Sequence, residues 1–155
     1  MEFISVSYTL SPPSLRGYLI DSEFIKRNNN CRVWVTGVQI NKLQVPALVK
    51  NGTDEFIILD CDYNLSDTEK EGLVVKWFFN GSINPVYQWI PPKKPQGLGL
   101  FASRLDLTYK ASEDPYKMYR ALRILRPSVE LTGDYKCRVS TFSSEAYKSA
   151  AMLVY

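Results

Sequence analysis

Three residues constrain this chain more than any others: Cys61, Trp77 and Cys137. Cys61 closes the run Ile57-Ile58-Leu59-Asp60-Cys61, whose positions 57, 59 and 61 share one face of a strand while Asp60 and Asp62 point the other way. Trp77 lies in Val75-Lys76-Trp77-Phe78-Phe79; positions 75, 77 and 79 take the inward phase, which leaves Phe78 outside beside Lys76. Cys61 precedes Trp77 by sixteen positions, and Cys137 follows it by sixty, at the end of Gly133-Asp134-Tyr135-Lys136-Cys137.

The surrounding sequence has the same texture. From Val38 onward, short alternating runs are separated by turn residues every ten or so positions, the rhythm of an all-β sandwich or barrel. The pattern predicts strands near 38–44, 45–49, 55–63, 73–79, 86–90, 104–109, 118–126, 133–141 and 147–155. Asn51-Gly52, Ser66-Asp67, Asn80-Gly81, Pro91-Pro92, Asp114-Pro115 and Thr132-Gly133 supply the breaks. Pro46 marks an edge strand or a bulge. Ten Tyr, seven Phe and three Trp fit a β-rich chain. Residues 1–36 carry no sustained period and read as an irregular, flexible leader, so the domain proper is expected over 37–155.

Chemistry is narrowed by what is missing. The chain has no histidine, which removes His-based acid–base catalysis, Ser-His-Asp triads and His metal sites. Cysteines at 31, 61 and 137 form no C-x-x-C; a distant pair plus one leftover suggests one disulfide and one unassigned thiol, with reduced core cysteines as the alternative. Asp60 and Asp62 read as a solvated strand face rather than an acid–base pair. There is no Gly-rich phosphate loop and no nucleophile motif, so an enzyme, a metal site or a cofactor is not expected. A net charge of +3 with interspersed acids lacks the footprint of a nucleic-acid binder, and Lys93-Lys94 between prolines reads as a turn. No run of 18 apolar residues is present to insert in a bilayer, and Met1 to Leu10 does not read as a signal peptide.

Cys61, Trp77, Tyr135 and Cys137 together resemble the variable-type immunoglobulin superfamily, an antiparallel two-sheet sandwich of Greek-key topology. Within it the chain is similar to the arthropod beaten-path (Beat) family of cell-surface and secreted axon-guidance proteins. That likeness is carried by Val45-Pro46, Cys61-Asp62-Tyr63, Val75-Lys76-Trp77-Phe78, the Trp- and Pro-rich stretch from Tyr87 to Pro95, and Gly133 to Ser140. The resemblance implies a disulfide between Cys61 on strand B and Cys137 on strand F. It further implies Trp77 of strand C packed on that bridge, a tyrosine corner at Tyr135, and Leu122 facing inward on strand E. The long span from Trp77 to Cys137 leaves room for the extra strands of the variable type. One departure concerns Arg104 at the expected start of strand D: its usual acidic partner two residues before Gly133 is replaced here by Leu131.

The resemblance also implies heterophilic protein binding at cell surfaces, with an immunoglobulin (Side-like) receptor as partner and no catalysis. The variable-type interface is the sheet G-F-C-C′, which nominates Lys76, Phe78, Tyr87, Trp89, Arg138 and, in the F–G turn, Phe142. Aromatic residues and Arg are the types enriched at hot spots. A soluble ligand or decoy with a non-neuronal, for example immune, role is the alternative. Asn51-Gly52-Thr53, Asn64-Leu65-Ser66 and Asn80-Gly81-Ser82 fit N-glycosylation acceptors at predicted turns or strand ends, which favours an extracellular setting.

Overall fold

Alternation along each run becomes a two-sided strand once neighbours pair. In the computed structural model, residues 37–155 are described; the leader expected over 1–36, with Cys31, lies outside them. Nine strands follow in order: β1 (Gln39–Gln44), β2 (Leu48–Val49), β3 (Phe56–Asn64), β4 (Val74–Phe79), β5 (Tyr87–Trp89), β6 (Gln96–Gly97), β7 (Leu122–Leu125), β8 (Gly133–Ser140) and β9 (Glu145–Val154). One sheet has the order β1-β3-β7 and the other β2-β9-β8-β4-β5-β6. Every pairing is antiparallel except β2 with β9. Between β1 and β2 the chain leaves one sheet and joins the other, and Pro46 stands in that crossing. A separate irregularity falls between Ile40 and Lys42.

The core lies between the sheets. Cys61 of β3 and Cys137 of β8 are bridged by a disulfide with their Cα atoms 6.4 Å apart. Trp77 stands opposite Cys137 in register, and all three side chains are fully buried. Leu59, Leu122, Ile124 and Val139 fill the layer around them. The buried Tyr135 hydroxyl donates to the carbonyl of Leu131 at 2.6 Å, the tyrosine corner expected at that position. Burial pushes this phenol's pKa up, because the charged form would have no solvent.

Two expected strands are cut short for a definable reason. Over 104–109 only Leu105 bridges, to Ile124. Leu105 is buried and Leu107 partly so, as the alternation requires. The run then turns, because the Asp106 carboxylate accepts from both the amide (3.0 Å) and the hydroxyl of Thr108. Those bonds and Arg123 hold that carboxyl below its usual range. Over 118–126 the strand is reduced to Leu122–Leu125. The carbonyls just before it are taken by side-chain tips instead of a neighbouring strand. Tyr63 donates to Tyr116, Tyr87 to Tyr119 (2.6 Å) and the Trp77 indole to Arg120 (3.0 Å).

Candidate functional site

The larger sheet presents an outer face whose composition follows from register. Arg138 pairs with Tyr147 on one side and with Lys76 on the other; Lys76 pairs with Gln88, and Gln88 with Gln96. Residues directly opposite each other share a face, so Tyr147, Arg138, Lys76, Gln88 and Gln96 form one row across five strands. Tyr147 is 63% exposed. Arg138 bonds Glu145 at 2.7 Å in a half-exposed pair, while Lys76 makes no ion pair among the described residues. In the next row Lys136 lies over two rings, 5.0 Å from the centroid of Phe78 and 5.5 Å from that of Tyr147. The face is therefore cationic and aromatic at its centre.

The turn joining β8 to β9 adds a projecting group. Phe142 is 84% exposed, yet its amide donates to the Glu71 carbonyl at 3.0 Å. Ser143 Oγ donates to the Glu69 carboxylate at 3.3 Å, which ties this turn to the loop between β3 and β4.

Three of the six residues nominated as contacts do not present rings to solvent. Tyr87 and Trp89 point inward and are 3% and 2% exposed. Their polar tips are satisfied by Tyr119 and Lys93 carbonyls, so these aromatics close the edge of the core. Phe78 does take the outer face, as its phase requires, but it is only 6% exposed and has Lys136 across its ring. A central strand in a six-stranded sheet gives even an outward ring close neighbours, so phase alone does not make it accessible. Lys76, Arg138 and Phe142 stay accessible, joined by Lys136 and Tyr147.

No protein-family model matches the chain, and no curated protein matches it in sequence. Solved structures do. The human B7-H4 IgV-like domain superposes with a TM-score of 0.54 at 17% identity, covering 76% of this chain and 95% of that one. Drosophila OTK extracellular domains 3-5 match with a TM-score of 0.52 at 19% identity, over 76% of this chain and 35% of that chain. The fold is a variable-type immunoglobulin sandwich. At these identities the likeness concerns the fold alone. In the letters of that fold, β3 is B, β4 is C, β5 is C′, β6 is C″, β7 is E, β8 is F and β9 is G; strand D is reduced to the Leu105 bridge.

The variable-type frame contains two features that residue-by-residue reading missed. Arg104 does have an acidic partner: it bonds Glu130, one residue before Leu131, together with Ser128 Oγ (2.7 Å) and the Arg126 carbonyl (2.9 Å). Asp60 and Asp62 are not simply solvated. Arg120 clasps both, with Nε 2.9 Å and Nη2 3.1 Å from Asp60 and Nη1 2.9 Å from Asp62. Arg120 thus holds strand B through its side chain and strand C through its carbonyl. No local signal marks it, because its partners lie about 60 positions away. The asparagines of the three sequons are all exposed. The Asn80 side-chain oxygen accepts from the Asp134 amide at 2.9 Å, and Asn64 Nδ2 donates to Asn41 Oδ1 at 3.3 Å. Among the described residues, no cluster of three potential metal ligands forms and no helix is long and apolar enough to cross a membrane.

Proposed function

We propose that residues 37–155 act as an extracellular recognition module that binds another protein through the G-F-C-C′ face, without catalysis. The observation that carries this is the row Tyr147-Arg138-Lys76-Gln88-Gln96, flanked by Lys136. An exposed aromatic next to an arginine, framed by polar groups, has the make-up of an interface centre with its rim. The intersheet disulfide supports an oxidising compartment. Exposed sequon asparagines at 51, 64 and 80 support glycosylation there. The likeness to Beat proteins supports a role in adhesion or axon guidance, with an immunoglobulin (Side-like) receptor as the binding partner.

The test is a pairwise screen of the full chain, produced oxidised and glycosylated, against extracellular immunoglobulin proteins. The wild type captures at least one member, and Lys76→Glu/Arg138→Glu weakens that capture by about tenfold or more through like-charge repulsion and a faster off-rate. Undiminished capture by this folded double variant would refute the face. Mass mapping of the same material reads the three glycans and the state of Cys31.

A further inference from the structure

Phe142 is the most exposed aromatic ring among the described residues, and it is held rather than free. Hydrogen bonds involving Thr141 close its turn, among them Thr141 amide to Ser144 carbonyl at 2.8 Å and Ser144 amide to Thr141 Oγ1 at 3.3 Å. Beneath the ring lies Gly72, at a φ of +75°, and a Cβ at that position would collide with the ring. Glycine therefore serves twice, allowing the backbone conformation and leaving the ring a flat seat. A large apolar group that is ordered before binding loses little further freedom on binding. An exposed ring with this much support is costly to solubility and has no role in the core.

The seat is acidic. The loop beneath it reads Asp67-Thr68-Glu69-Lys70-Glu71. Lys70 turns toward Asp67 at 3.4 Å and over the Tyr116 ring at 4.8 Å. Glu69 is bonded to Ser143 beside Phe142, and exposed Glu71, whose carbonyl holds the Phe142 amide, has no cation on its carboxylate among the described residues.

We propose that Phe142 is a preset knob that enters an apolar pocket with a basic rim on the partner protein. Glu69 and Glu71 face that rim. This rests on the recognition reading above and adds the chemistry of the partner at one end of the site. Opposite charge beside an apolar anchor sets orientation and on-rate, while the anchor itself sets residence time.

The probe is the same panel of extracellular immunoglobulin proteins, with full-length Phe142→Ala, Phe142→Tyr and Glu71→Lys compared with wild type. Both positions are surface groups, so melting curves should stay close to wild type. Phe142→Ala should weaken capture about thirtyfold, the loss of a hot spot, while Phe142→Tyr stays within about threefold. Glu71→Lys should weaken it about tenfold at low salt and less at high salt. If Phe142→Ala binds as wild type while Lys76→Glu/Arg138→Glu does not, the knob is overturned and the recognition reading stands. If Phe142→Ala weakens binding but Glu71→Lys does not, the basic rim is overturned. A wild-type chain that captures no panel member overturns the recognition reading and the knob with it.

Discussion

Replacing both bridging cysteines, Cys61→Ala/Cys137→Ala, tests the framework on which everything else is mounted. The bridge closes a loop with a sequence separation of 76. In the chain-entropy model this removes about 15 cal/mol/K from the unfolded ensemble, or about 4.5 kcal/mol at 25 °C. Both sulfurs are fully buried, so their removal adds a cavity cost in the folded state. A domain of this size has about 5–15 kcal/mol in all, so the variant should sit near the edge of folding. At roughly 4 °C per kcal/mol, the melting temperature should fall by about 15–20 °C. The comparison is made by urea and thermal melts in a Cys31→Ser background, so that no third thiol can exchange. Reduced wild type should converge on the variant. A loss under about 1 kcal/mol, or a reduced wild type that melts like the oxidised one, would show that the bridge is not a main source of the domain's stability.

Two further outcomes follow from the same packing. Arg120→Ala leaves Asp60 and Asp62 facing each other's charge without their clasp and should cost about 1–3 kcal/mol in urea melts, with Asp60→Asn/Asp62→Asn partly rescuing it; an unchanged midpoint for Arg120→Ala would count against the clasp. Burial raises the pKa of Tyr63, Tyr87 and Tyr135 above the ordinary phenol value. Their stabilisation is complete below that ordinary value, about 10, and is lost as pH rises toward the raised folded values. Absorbance titration should show Tyr63, Tyr87 and Tyr135 ionising above the ordinary phenol value until the chain unfolds; these three ionising near that value in a folded chain would contradict it.

The residues that define the sandwich were legible in sequence because they obey period 2 and stand at telling distances. Cys61, Trp77, Leu122, Tyr135 and Cys137 all point inward, and the structure buries every one. Lys76 and Arg138 were accessible to the same reasoning, because phase assigns a side chain to one of two faces; Phe142 was legible from its place in the turn between two strands.

Tertiary structure alone decided the rest. Phase could not say that Phe78 would be covered, because cover comes from neighbours in other strands. The alternation in 104–109 could not reveal that Asp106 would bond Thr108 and end the pairing. Nor could the run before β7 announce that its carbonyls belong to Tyr63, Tyr87 and Trp77. Alternation thus marked Cys61, Trp77 and Cys137 as core residues, since inward position is a local property of a strand, and their resemblance to the variable-type pattern implied the two-sheet arrangement. Which surface that core leaves open, with Phe142 seated on Gly72 and Arg120 locked between two aspartates, depends on contacts between distant segments that exist only once the chain has folded.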